Sequence, residues 1–203
     1  ILRHSNSASF AVKRFTSELQ GVTLSRLASR YGLVQALVAN NRAEDALEAY
    51  QPLAKEYGHL LAVRVALADI HAASNRYDLA LEIIQKELGA TPDSHVLNVR
   101  YAELLMEATR YELGESVLKA HVKRHPENAY VWYLLAETHG LAGNILEVHK
   151  ARAEYFILLG IYEKAEIQLR NALRLLGDDK DPHEKHRLQE RLNQVQRLKE
   201  ESK

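Results

Sequence analysis

The sequence predicts an all-α fold, a right-handed superhelix of antiparallel helical hairpins closed by a C-terminal capping helix. Three observations predict it. Only nine Gly and four Pro occur in 203 residues, and strong helix formers fill the rest, which leaves little room for a loop-rich sheet protein. A spacing of 34 residues recurs along the chain, in Asn41-Arg42-Ala43, Asn75-Arg76-Tyr77 and Thr109-Arg110-Tyr111. Small residues follow the same spacing at Ala46, Ala80 and Gly114, with large apolar residues four positions later at Tyr50, Ile84 and Leu118. A small residue lets two helices approach closely while the larger one fills the groove beside it.

Two further columns keep the register: Leu33, Leu67, Tyr101 and Leu135, then Val34, Ala68, Ala102 and Ala136. With Trp132-Tyr133-Leu134-Leu135-Ala136 and the closing Pro92 and Pro126, the pattern resembles the tetratricopeptide repeat, two antiparallel helices per unit. The family's small Gly is Ala or Val here. Each Pro is expected in the first turn of the following helix, where its missing N–H goes unmissed.

Taken in order, residues 1–21 read as an N-terminal helix, over Ser9 to Gln20, or a linker from a preceding domain. Repeats span 22–176, the first opening near Thr23 or Ser25. After Trp132 the next hairpin signature is Gly160-Ile161-Tyr162-Glu163-Lys164-Ala165, and Ala165 lies one and a half periods after Gly114. The helix from about Ile145 to Leu159 must therefore serve twice, closing one unit and opening the next. Gly177-Asp178-Asp179-Lys180 breaks the chain before a capping helix in 177–203. Asp181 and Pro182 start that helix as N-cap and first-turn residue, with Glu184 at the capping-box position. Its apolar stripe is Leu188, Leu192, Val195 and Leu198 among many charges, the polar outer face that a terminal repeat needs.

Composition excludes several functions. Lys plus Arg equals Asp plus Glu at 27 each, so no net field draws the chain to nucleic acid. No apolar run approaches the roughly 20 residues of a membrane span. Without Cys, disulfides, thiolate catalysis and Cys-ligated zinc are ruled out, and the compartment stays open. His121 and His125 stand one helical turn apart, yet no third ligand is evident, and both suit a helix C-terminus. No nucleophile elbow or phosphate loop occurs. No catalytic residue, metal site or cofactor is expected in this chain.

The run His149-Lys150-Ala151-Arg152-Ala153-Glu154-Tyr155, with Leu159-Gly160, Tyr162, Ala165 and Leu169, is similar to one group in particular. Together with Arg30-Tyr31-Gly32-Leu33-Val34-Gln35-Ala36-Leu37 and Ala46-Leu47, it resembles the C-terminal repeat region of periplasmic zinc metallopeptidases of the beta-barrel assembly-enhancing protease type. The resemblance implies a periplasmic location and a protease domain, with its zinc, elsewhere in a longer protein. It names the outer-membrane assembly complex and its clients as expected partners. The start at Ile1 without Met fits a piece of such a protein. His183-Glu184-Lys185-His186 is not HExxH, because the two His must lie four apart to share a helix face.

In the repeat family the first helix of each hairpin lines the partner-binding groove. Here the expected groove residues are Gln35, Asp69, Glu103 and Glu137, with Tyr31 and Tyr133 one turn earlier in line with Val65 and Val99, extended by Glu107 and Tyr130. Carboxylates beside aromatic rings favour a neutral or basic protein segment or extended peptide. The alternative, that these acids only confer solubility, stays open.

Overall fold

The computed structural model describes residues 5–177 and 181–202. Every regular element among them is a helix: α1 (Ser5–Gln20), α2 (Arg26–Ala39), α3 (Ala43–Tyr57), α4 (Leu61–Ala73), α5 (Tyr77–Ala90), α6 (His95–Glu107), α7 (Tyr111–Arg124), α8 (Ala129–Leu141), α9 (Ile145–Leu158), α10 (Tyr162–Leu176) and α11 (Pro182–Glu201). They fall into two compact units, residues 1–108 with α1 to α6 and residues 109–203 with α7 to α11.

Two kinds of chain reversal precede most of the helices. Helices α2, α6 and α8 begin on a side-chain cap, in which Ser25, Ser94 and Asn128 accept from the backbone N–H of Ala28, Leu97 and Val131. Each such contact satisfies one of the unpaired N–H groups of a first turn. Helices α3, α5, α7, α9 and α10 have no side-chain cap. They follow instead a residue in the left-handed region: Asn41, Asn75 and Thr109 at φ near 57° (56°, 56° and 58°), then Gly143 and Gly160 at 77° and 70°. The next N–H reaches back five residues, from Arg42 to Leu37 O at 2.9 Å, Arg76 to His71 O at 2.8 Å, Asn144 to His139 O at 2.8 Å and Ile161 to Phe156 O at 2.9 Å. The repeated Asn-Arg of the sequence is this turn, since Asn and Gly enter the left-handed region most cheaply. Thr109 is β-branched and ill suited to it. Thr109→Asn is expected to recover about 1 kcal/mol, seen as a higher denaturant midpoint.

Pro92 and Pro126 do not enter the following helices as expected; both precede them in the linkers. Their carbonyls take bonds from equivalent side chains, Asn98 Nδ2 at 2.8 Å and Trp132 Nε1 at 2.9 Å. A donor at that position ties each helix to the linker that introduces it.

The repeat columns are the core. Ala46, Ala80, Ile84, Leu118, Val34, Ala68 and Ala102 are fully buried. In the first unit α1 lies against α2, and a Cβ at Gly32 would fall 2.4 Å from the Phe15 ring, so the ring occupies the space that glycine leaves. In the second unit α9 packs as closely on α10 as on α8. Ala153, Ala165, Leu169, Ala172 and Leu176 meet Leu188, Leu192 and Val195 of α11 in one cluster. Asp181 caps α11, accepting from His183 N at 3.1 Å and Glu184 N at 3.0 Å. Those two N–H groups hold its carboxyl below the usual range. The Glu184 side chain does not close a capping box; Lys150 of α9 and Arg187 take it instead. Of the predicted helix break, Asp178 to Lys180 lie outside the described residues.

Acid should lower the stability of the protein in two pH ranges. Burial pushes the His139 imidazole below the ordinary histidine value of 6.5 despite the opposing Glu115, and does the same to His71, assisted by Arg76. A base whose folded value is depressed binds its proton better when unfolded, so stability falls as pH drops from 6.5 toward the folded value. The carboxylates act lower: Glu166, bonded by Arg170, Gln196 and Lys199, is held down to about 2, so its contribution is lost below pH 4.5. Unfolding free energy should therefore start to decline just below pH 6.5, by no more than about 1.4 kcal/mol per pH unit for each histidine. His139→Gln should flatten that first decline, and an unchanged profile would rule out the assignment.

Candidate protein-binding surface

The first unit brings its predicted residues together. Asp69 on α4 receives Gln35 Nε2 of α2 on one oxygen at 3.4 Å and Arg100 Nε of α6 on the other at 2.8 Å. Arg100 Nη1 also reaches Glu103 at 3.3 Å and Glu107 at 3.0 Å. Tyr31 lies close enough that its phenol is raised, first by burial and then by the Asp69 charge. Three carboxylates therefore surround one guanidinium. Burial alone would lower the Arg100 affinity for its proton, but the charges of Asp69, Glu107 and Glu103 outweigh it and fix the cation.

Arg100 was not among the predicted residues. It turns the expected wall of carboxylates into a cross-linked network joining α4 to α6. Its spacing of three and seven residues from Glu103 and Glu107 was visible on one helix face; its bond to Asp69, 31 residues back, was not. Val99 is 9% exposed, so the expected apolar stripe turns into the core at that point.

In the second unit the predicted tyrosines form a ladder. Tyr130 and Tyr133 stack with centroids 6.1 Å apart, Tyr133 meets Tyr155 at 5.9 Å, and Tyr155 meets Phe156 at 5.2 Å. Lys164 Nζ stands 5.5 Å from the Phe156 centroid, within cation–π range. Tyr130 and Tyr133 remain 43% and 41% exposed, a large apolar area to leave in water. Glu137 pairs with Arg152 at 3.4 Å. Tyr155, Phe156 and Arg152 come from α9, which the sequence reading did not include in the groove.

His121 and His125 face each other at 4.8 Å, tilted by 46°. His121, fully buried, lies in the last turn of α7 and His125 is its C-cap residue, so both take the expected place at the helix end. Among the described residues no group of three or more His, Cys, Asp or Glu could hold a metal ion, and no helix is long and apolar enough to cross a membrane.

Comparison with known families places this geometry. Residues 31–95 and 76–138 each match a tetratricopeptide repeat model, together more than half of the chain, and the chain belongs to the tetratricopeptide repeat family. No curated protein matches it. Among solved structures it is similar to residues 41 to the end of MamA from Desulfovibrio magneticus, at 18% identity and a TM-score of 0.54, over 88% of this chain and 98% of that one. A tetratricopeptide repeat protein from Parabacteroides merdae matches at 15% identity and a TM-score of 0.57, over 94% of this chain and 78% of that one. At such identities the likeness concerns the fold alone.

Proposed function

We propose that the chain is a non-catalytic docking module whose units each offer a face to an extended segment of another protein, one carrying Tyr31, Gln35, Asp69, Glu103 and Glu107 and the other Tyr130, Tyr133 and Glu137. The observation that carries this reading is the excess of carboxylates over arginine beside half-buried Tyr31 in the first unit. Asp69, Glu103 and Glu107 against Arg100 leave a local charge of −2, which favours lysine or arginine side chains over acidic ones. Repeat proteins of this family generally serve as scaffolds that bind proteins or peptides. A fluorescein-labelled peptide alternating lysine with valine should bind better than its glutamate counterpart. Asp69→Lys with Glu103→Lys should invert that preference. An unchanged preference, with helicity intact by circular dichroism, would eliminate the surface.

The partner we infer is a client or assembly-machinery component of a periplasmic zinc metallopeptidase working in outer-membrane protein quality control. Support comes from the run His149 to Tyr155 with Leu159-Gly160, Tyr162, Ala165 and Leu169. An HExxH helix encoded ahead of Ile1 is the expected finding. Its absence from the parent gene would leave the second reading, a general scaffold or oligomerisation module without a protease.

A further inference from the structure

The second unit holds a groove that the tyrosine ladder does not use. Trp132 and Tyr133 are neighbours on α8, so their side chains diverge by about 100°. Tyr133 joins the ladder, whereas Trp132, the chain's single tryptophan, lines an open groove of about 740 Å³ walled by α7 and α11. Its floor is apolar: Leu135 beside Trp132, Ala151 of α9, Leu169 of α10 and Leu188 of α11.

Charge is distributed unevenly around that floor. The lining carries Lys119, Lys123, Lys150, Arg187 and Arg191 against Glu147, Glu154 and Glu184, five cations to three carboxylates. All three carboxylates are already engaged: Glu147 by Lys150 at 2.8 Å, Glu184 by Lys150 and Arg187, and Glu154 by Arg191 Nε at 2.8 Å. Lys119 bonds Glu115, outside the lining, and adding that acid still leaves an excess of one cation. Lys123, on the α7 wall, has no ion-pair partner among the described residues. Across the groove Arg187 shares its carboxylate with Lys150 and is 72% exposed.

The walls and floor are helices, whose backbone groups are spent within themselves. An extended segment laid here would bury N–H and C=O groups against apolar side chains, at a cost of a few kcal/mol for each unpaired group. A helix satisfies its own backbone and presents only side chains. We propose that this groove receives an amphipathic helix of a protein partner, with its apolar face on Trp132, Leu135 and Leu188 and its flanking Glu or Asp on Lys119, Lys123 and Arg187.

The test is titration with an acetylated peptide of about 18 residues, long enough to form helix on binding, with leucine at every third or fourth position and glutamate elsewhere. Its counterpart replaces each glutamate by lysine. The acidic peptide should saturate and shift the Trp132 emission to the blue, and the lysine peptide should not. Lys123→Glu with Arg187→Glu, both solvent-facing, should weaken the acidic peptide by about tenfold or more and admit the lysine one. Tyr133→Ala should change neither, which separates this groove from the surface proposed above. Equal binding of the two peptides, an indifferent double reversal, or unmoved Trp132 emission would overturn the proposal. So would saturation by decanoate with no binding of the acidic peptide, which would assign the groove to a small amphiphile.

Discussion

Truncation of Leu169 to alanine is expected to cost about 2 to 5 kcal/mol, a large share of what holds a domain of this size together. Leu169 is 1% exposed, at the point where α9, α10 and α11 meet with Ala153, Leu188 and Leu192 around it. Its loss removes apolar contact and leaves a void that the rigid helices cannot close. Ile167, two residues earlier, is 55% exposed, and Ile167→Ala should fall within about 0.5 kcal/mol of wild type. Urea midpoints at a common slope measure both. Comparable shifts at the two positions would mean that α10 does not present this face to its neighbours.

Arg100→Met should produce the second large effect, in stability and binding together. Methionine keeps much of the buried stem but removes the guanidinium that Asp69, Glu103 and Glu107 share. The guanidinium is one-fifth exposed, between the weak surface pair and the fully buried one, so a cost of about 1 to 3 kcal/mol is expected at pH 7. Raising the salt to about 1 M should narrow the gap to wild type, because screening weakens the repulsion among the three carboxylates. Affinity for the lysine-valine peptide should rise as the local charge moves from −2 to −3. A destabilisation of equal size at low and high salt would show that Arg100 contributes packing alone.

The hairpin stack was legible because burial repeats a chemical type at one spacing. Ala46 and Ala80 are small for the same steric reason, and one period aligned them without coordinates. The turns were legible through their consequence, since a backbone that must enter the left-handed region selects Asn or Gly. Thr109 violates that rule and was placed only by its register.

What escaped the sequence reading lay between helices. Asp69 and Arg100 meet across two of them, and no local spacing announces it. Glu184 carried a correct capping-box spacing, but a lysine from α9 offers a full charge where the backbone offers only a partial one. Val99 was placed one turn from Glu103, yet four residues advance about 400°, or 40° past a full circle. That offset is enough to carry a side chain from the rim of a groove into the interface behind it.

Gly143, Gly160 and Gly177 stand at intervals of 17 residues, each in the left-handed region, half the distance separating Asn41, Asn75 and Thr109. Over this stretch the structural module is one helix and one reversal, so the chain can gain or lose a single helix without breaking the pairing of its neighbours. Each such event would exchange the roles of inner and outer helix in everything that follows. A homologue with an odd number of extra helices here would display, at its far end, the surface that this protein turns inward.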